Sequence, residues 1–339
     1  MPNRIKNLLQ DCLDSYSKQI IKTSALVNDT GLLTGKTGIA LFLYHLARYK
    51  NDEVIHEYAN NLVDIILQEI NADAGTSFNC GLSGIAWGFI HLFEQDFLES
   101  GDDLFVEIDA KLFKEEEDVL DLNNFDIESG KGLYLLKRIK SDKNRDSRLR
   151  GNDVVQGQGD FIRSYMIDYL KKMYLLMTLR YTNYAFTAFR CKDMIRVIHI
   201  CDQLLEDEFF KPDLEPLCRQ IKEIIDNVFL LEMSDADKYF LQEALRHSSW
   251  LSEHININNQ FSTATLTGIN SFYLNRMILS KEIRTPEFIH NSLFSIIEDK
   301  KRTDELLSLL SPQNAGLGNY VTGLAWSILQ WFIENDINL

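Results

Sequence analysis

The chain has 339 residues, of which 45% are hydrophobic, 11% aromatic and 25% charged. This amount of apolar and aromatic surface excludes an intrinsically disordered chain and is enough for one large core or two smaller ones. The formal net charge of −15 disfavours nucleic acid as a partner, because an acidic protein repels the phosphate backbone.

The cysteines and the N-terminal segment indicate a reducing compartment. The five cysteines are irregularly spaced and form no Cys-x-x-Cys pair, which disfavours a disulfide framework or a zinc ribbon. The first residues lack the apolar core of a signal peptide, and no stretch reaches the ~18 apolar residues of a membrane span. The sequence therefore predicts a cytoplasmic protein without a membrane span.

Amphipathic helices recur along the chain from its N-terminus. Apolar residues fall at helical spacing over 5–21, 55–70, 162–177 and 214–228, with polar residues between them. Thr285-Pro286 is typical of the start of a further helix. With only 5 prolines and no convincing alternating strands, the sequence predicts an all-α fold.

A second kind of helix is apolar on nearly every side and must be surrounded by protein. These helices cover 40–47, 86–93, 132–139, 271–279 and 324–332. Their alternation with the amphipathic helices predicts two concentric layers, with the apolar helices inside.

A glycine-containing segment opens each apolar helix. The segments are GLLTGKTGIA (31–40), NCGLSGIAWG (79–88), DIESGKGLYL (126–135), TLTGINSFYL (265–274) and LGNYVTGLAW (317–326). Pairing Gly38, Gly84 and Gly132 gives intervals of 46 and 48 residues, as expected for a helical repeat. Two more hairpins fit the length between Gly132 and Gly268, although no glycine occurs between Gly159 and Gly268.

The repeated Gly-x-x-Gly segments resemble those of the lanthionine synthetase C-like (lanthionine cyclase) family. The resemblance covers residues 5–140 and 260–335 and is weak between them. It implies an α/α toroid of seven helical hairpins, with an inner ring inside an outer ring. We expect one such domain over residues 1–339, with the charged segment 140–160 as an exposed loop or insertion.

The family's zinc ligands have no counterpart here. Active members bind zinc through Trp-Cys-x-Gly and Cys-His-Gly segments, and the metal activates a peptide cysteine that adds to a dehydrated serine or threonine. Leu266 and Thr267 stand where the family has Cys and His, no Trp-Cys-x-Gly occurs, and no cysteine follows Cys218. The comparison predicts no metal, no other cofactor and no zinc-dependent cyclase activity, and favours a protein that binds a peptide or a partner protein.

Candidate cavity residues lie at the starts of the inner helices. They are Asn79, Cys80, Asp126, Glu128, Thr267, Asn319 and Tyr320. Asp126 matches an acidic position near the family's catalytic cavity, although an aspartate near a helix start is more often an N-terminal cap. Cys80 is either a reactive thiolate at a helix start or a packing residue, and turn chemistry also accounts for the asparagines.

Two alternatives to a peptide-binding or partner-binding protein are compatible with the sequence. A glycan hydrolase on a similar toroid would use carboxylates of Asp126, Glu128 and Asp160, with Trp87 or Trp326 as a sugar platform. A degraded family member that has kept only its fold is a third alternative.

Metal and nucleotide sites elsewhere in the sequence find little support. Cys191, His199 and Cys201 fit no common zinc spacing, and His247 and His254 lack a third ligand nearby. We expect structural or surface roles for these residues. The segment GKTG (35–38) lacks the upstream glycine of a P-loop.

Overall fold

The computed structural model describes residues 3–70, 75–99, 102–113, 125–146, 153–182, 191–227, 239, 243, 266–279, 285–308, 310, 315–318 and 320–335. Within this part of the chain the regular structure is thirteen α-helices, without a β-strand. The fold class is therefore all-α, as predicted. None of the helices in these ranges is long and apolar enough to cross a bilayer.

The helices alternate along the chain between an outer and an inner layer. The outer helices are α1 (Asn3–Ser24), α3 (Glu53–Glu69), α5 (Asp102–Leu112), α7 (Asp153–Thr182), α9 (Lys211–Asn227), α11 (Glu287–Glu298) and α12 (Lys300–Ser308). The inner helices are α2 (Lys36–Lys50), α4 (Leu82–Glu94), α6 (Phe125–Asp146), α8 (Cys191–Leu204), α10 (Leu266–Ile278) and α13 (Tyr320–Glu334).

Packing between helices gives the two layers a ring arrangement. In the inner layer α10 packs on α13, α13 on α2, α2 on α4, α4 on α6 and α6 on α8. Outside it, α3 covers α2, α5 covers α4, α7 covers α6, and α9 covers α7 and α8. The helix α1 packs on α13, so the two ends of the chain meet. This arrangement is the α/α toroid of helical hairpins.

The burial of each layer follows from its sequence. The inner helix α4 is buried along its whole length from Leu82 to Leu92. The outer helix α3 buries only Ala59, Leu62, Val63 and Ile66, which share one face at helical spacing. A one-sided helix cannot lie in the inner ring without burying its charged face, so the apolar pattern decides the layer.

The middle of the chain contributes α7, α8 and α9, although it lacks the glycine segment. The helix α8 is the fourth inner helix, and the predicted fifth lies outside the described residues. The helix α6 extends to Asp146 and α7 begins at Asp153. Residues 140–146 and 153–160 of the segment expected as a loop are thus helical, and residues 147–152 lie outside the described part.

A buried ion pair joins α5 to α6. The Arg138 guanidinium donates to the Asp109 carboxylate at 3.0 Å, and the Tyr134 hydroxyl donates to its other oxygen. Burial raises the pKa of Asp109, and the Arg138 charge and the Tyr134 hydrogen bond oppose this effect. The pair links an outer helix to an inner one through side chains that are almost fully enclosed.

Candidate functional site at the glycine rim

Three loops that precede inner helices have the same construction. Thr37, Ser83 and Thr322 stand immediately before a glycine, and each hydroxyl donates to the backbone carbonyl seven residues earlier. These acceptors are Thr30, Thr76 and Ala315, at 2.5, 2.7 and 2.5 Å. The shared bond shows that residues 29–38, 75–84 and 315–323 are copies of one structural unit.

The glycine of this unit allows the loop to lie against the helix start. A Cβ atom on Gly84 would lie 1.9 Å from the Phe78 carbonyl oxygen, and one on Gly38 would lie 2.0 Å from that of Leu32. Neither backbone could tolerate the added carbon without moving. The position therefore requires glycine for close backbone approach.

The third copy of the glycine is Gly130 rather than Gly132. A Cβ atom on Gly130 would meet Phe78 of the preceding loop at 2.3 Å, in the same way that Gly84 faces Leu32 at 3.1 Å. A Cβ atom on Gly132 would instead meet Tyr169 of α7. The pairing of Gly84 with Gly132 made from the sequence is thus wrong by two residues, and both intervals are 46 residues.

Backbone hydrogen bonds connect neighbouring loops into a continuous rim. The Leu33 amide donates to the Asn79 carbonyl at 2.8 Å, and the Gly318 amide donates to the Leu33 carbonyl at 2.7 Å. We call this surface, formed by residues 29–35, 75–81 and 315–318, the glycine rim. It lies at the end of the inner ring where α13, α2 and α4 begin.

The structure places two of the predicted site residues on the glycine rim. Asn79 is half-buried and contributes its carbonyl to the bond described above. Cys80 is exposed, and its Sγ atom lies 3.1 Å from the Ser77 hydroxyl. Thr34 occupies the equivalent exposed position one repeat earlier and hydrogen-bonds the Asp29 carboxylate. Thr34 and Asp29 were missed from the sequence because only the glycines were aligned.

For four of the other predicted site residues, the structure gives the position in a helix only. Asp126 and Glu128 lie in the first turn of α6, Thr267 in the first turn of α10, and Tyr320 is the first residue of α13. The helix starts bring these positions to the rim end of the ring, while their side chains and all of Asn319 lie outside the described part.

A buried arginine beneath the rim was also missed. Arg196 of α8 lies with its guanidinium 5.3 Å from the Phe78 ring, and it donates to the Ser129 hydroxyl at 3.3 Å. Ser129 precedes Gly130, so this contact ties α8 to the start of α6. The sequence did contain a signal for this contact, since Arg196 stands within an apolar stretch of α8. A cation that is buried in this way needs specific partners.

The alternative metal ligands lie in unsuitable surroundings. Burial, and then the charges of Lys140 and Lys137, lower the pKa of His199 to about 3. The Cys201 thiol is buried and hydrogen-bonded to Cys218, and that bond and burial raise its pKa. No three His, Cys, Asp or Glu side chains group as metal ligands in the described ranges. The side chain of Cys191 and both His247 and His254 lie outside those ranges.

Comparison with known families agrees with the repeat construction. A family model described as lanthionine synthetase C-like protein matches residues 26–157. The matched segment contains two copies of the rim unit and the helices α2 to α6. No curated protein matches the chain. Over residues 26–157, the chain is therefore similar to the lanthionine synthetase C-like family.

Proposed function

We propose that this protein binds a peptide at the glycine rim and does not form thioethers by zinc catalysis. The main support is a hydrogen bond that recurs in three copies of the rim unit. In each copy the hydroxyl residue before the rim glycine donates it, and these residues are Thr37, Ser83 and Thr322. In each of these copies the hydroxyl holds the loop to the helix. Thr267 stands at the same position before Gly268 and is of the same residue type.

The equivalence of Thr267 with these hydroxyl residues explains what replaces the zinc-binding histidine of active relatives. The position of Thr267 is the one at which active relatives carry the zinc-binding histidine. A threonine hydroxyl is a poor zinc ligand, whereas it suits the structural bond made in the other copies. Leu266 beside it has no ligand atom at all. We therefore assign this segment a structural part in the rim.

The exposed tips of the rim loops supply the proposed peptide surface. Thr34 and Cys80 are exposed at equivalent positions, with the Asp29 carboxylate beside Thr34. The chain's net charge of −15 attracts a basic segment in a peptide. A basic peptide lying across the ring of loops is the occupant that this charge favours.

The tryptophans expected to form the sugar platform of a glycan hydrolase are buried. Trp87 and Trp326 are each 2% exposed and lie within inner helices. Trp87 stacks on His91, with ring centroids 5.3 Å apart. A sugar platform needs an open aromatic face, so neither tryptophan provides one.

Zinc content and thioether formation test the first half of the proposal. Protein purified without added zinc would be measured by mass spectrometry with and without a chelator wash. It would also be incubated with a basic peptide that contains a cysteine and a dehydroalanine. We expect far less than one zinc per chain and thioether formation at the spontaneous rate. About one zinc per chain together with accelerated cyclisation would refute the absence of catalysis.

Binding of the same peptide, labelled for fluorescence anisotropy, tests the second half. We expect Thr34→Arg and Cys80→Arg each to weaken binding by roughly tenfold, since each places a cation against the basic peptide, ~1.4 kcal/mol in binding free energy. The matched control is Val54→Arg, which adds the same charge at a 76% exposed position on the outer helix α3. Equal weakening by all three variants would show that the rim is not the binding surface.

A further inference from the structure

One position in the inner helices is polar in every copy that carries the rim glycine. It lies seven residues after the glycine and is occupied by His45, His91, Lys137, Asn275 and Gln330. Because the inner helices all begin at the rim, these side chains lie toward the opposite end of the ring. We call that end, where α2, α4, α10 and α13 finish, the far face.

Polar and aromatic side chains form a continuous chain of contacts near the far face. The Nε2 atoms of His45 and His91 lie 3.2 Å apart while their ring centroids are 5.5 Å apart. The rings therefore meet end to end, as in a hydrogen bond between two imidazoles, rather than converging on a common metal. Trp326 packs edge-on against His45 at 5.2 Å, and the Lys137 amine lies 5.2 Å from the Trp87 ring.

A cavity of about 310 Å³ opens beside this histidine pair. Its lining includes His45, Arg48, His91, Arg276, Trp326 and Glu334, which come from α2, α4, α10 and α13. The volume is at the lower end of the range for small-molecule sites, ~300 Å³ and above. The cavity is separate from the glycine rim, because its walls are the last turns of the inner helices.

The charged side chains of this cavity are two arginines and one glutamate. Arg276 forms an ion pair with Glu334, which neutralises both. Arg48 donates to the Gln95 carbonyl and lies 3.7 Å from the centroid of the Phe97 ring, and neither partner carries a formal charge. The cavity thus has a net positive charge in a chain whose overall charge is −15.

Tyr49 and Ile333 add apolar surface to the wall of this cavity. An arginine without a carboxylate partner among the described residues, beside an apolar wall, favours a ligand that combines an anionic group with an apolar body.

We propose that the far-face cavity binds a small organic carboxylate, with the carboxylate beside Arg48 and the apolar body against Tyr49 and Ile333. The assignment goes beyond the proposed peptide binding, because it concerns the opposite end of the ring. A neutral ligand of the same shape would lose the attraction of the arginine and bind more weakly.

Benzoate and benzamide are suitable probes, because they differ in charge and little in shape. Saturation-transfer NMR titrations of the full chain would give the two dissociation constants. We expect benzoate to bind at least tenfold more tightly than benzamide. Equal affinities, or no binding of benzoate, would overturn the proposal, and neither result depends on a variant that might misfold.

Three variants locate the binding. Arg48→Gln removes the cavity charge and is expected to weaken benzoate binding about tenfold, whereas Arg48→Lys keeps the charge and should stay within about threefold. The matched control is Lys50→Gln, which removes a cation from the same helix outside the cavity lining. Circular dichroism would check that each variant is folded. Benzoate binding unchanged by Arg48→Gln would place the site elsewhere and refute the assignment.

The carboxylate could belong to a free acid or to the C-terminus of a peptide. A tetrapeptide ending in phenylalanine, compared with its C-terminal amide, separates these sources. Tighter binding of the acid form of the peptide than of benzoate would identify a chain terminus as the ligand. Tighter binding of benzoate would identify a free acid, and both results support a carboxylate site.

Discussion

At the scale of single residues, the rim depends on glycines that permit contact between backbones. Gly84 and Gly75 belong to the same loop unit but differ in their surroundings. A Cβ atom on Gly84 would overlap the Phe78 carbonyl, whereas one on Gly75 would meet no atom within 4 Å. The pair therefore separates the effect of crowding from the effect of losing a glycine.

Gly84→Ala is expected to lower the free energy of unfolding by about 3 kcal/mol, because the loop must move away from the helix start. Gly75→Ala should change it by less than about 0.5 kcal/mol. Thermal unfolding followed by circular dichroism measures both. Similar transition temperatures for the two variants would contradict the close contact at Gly84.

Sequence reasoning predicted these glycine positions well where the surrounding residues repeat. Gly38 and Gly84 are both preceded by a hydroxyl residue, and their pairing agrees with the structure. In the third segment two glycines, Gly130 and Gly132, are both available, and the apolar pattern alone favoured the wrong one. The preceding Ser129 was the signal that distinguishes them, since Thr37 and Ser83 stand at the same place.

At the scale of secondary structure elements, burial of each helix followed from its pattern, but polar positions inside the inner helices did not. His45 and His91 are single polar residues in apolar helices, so each alone is consistent with simple packing. Their importance depends on the 3.2 Å contact between them, which joins residues 46 positions apart. Such a contact becomes predictable only when the copies of the repeat are aligned on Gly38 and Gly84.

The loop-to-helix hydroxyl bond gives a prediction for one element. Ser83→Ala removes the bond from the buried Ser83 hydroxyl to the Thr76 carbonyl and is expected to cost about 1–2 kcal/mol in unfolding free energy. Ser164→Ala removes a bond of similar length, 2.7 Å, from an exposed serine to the Phe161 carbonyl. Water can donate to the exposed Phe161 carbonyl in place of the Ser164 hydroxyl. The free energy of unfolding measured by chemical denaturation should therefore change little in Ser164→Ala. If Ser164→Ala lost as much unfolding free energy as Ser83→Ala, burial of the hydroxyl would not explain the cost of removing the Ser83 bond.

At the scale of the whole molecule, His199 makes stability depend on pH. Its pKa falls from 6.5 to about 3 in the folded chain, mainly through burial. As the pH drops below 6.5, the unfolded chain therefore binds a proton that the folded chain does not. Stability should decrease by up to about 1.4 kcal/mol per pH unit between pH 6.5 and 5 from this residue.

His199→Gln would remove this contribution, so its unfolding free energy should vary less steeply with pH than that of the wild type. Urea denaturation at pH 7, 6 and 5 measures the difference. Lys137 and Lys140 remain in the variant, so only the titrating group changes. Parallel pH profiles for the two proteins would show that His199 does not titrate differently on unfolding.

The packing of α1 and α2 against α13 has a consequence for synthesis on the ribosome. Both helices are synthesised long before α13, which begins at Tyr320. The apolar faces that α1 and α2 turn toward α13 therefore stay uncovered until α13 has left the ribosome. The nascent chain presents these faces to chaperones in the meantime, and α1 and α2 can pack against α13 only after its synthesis.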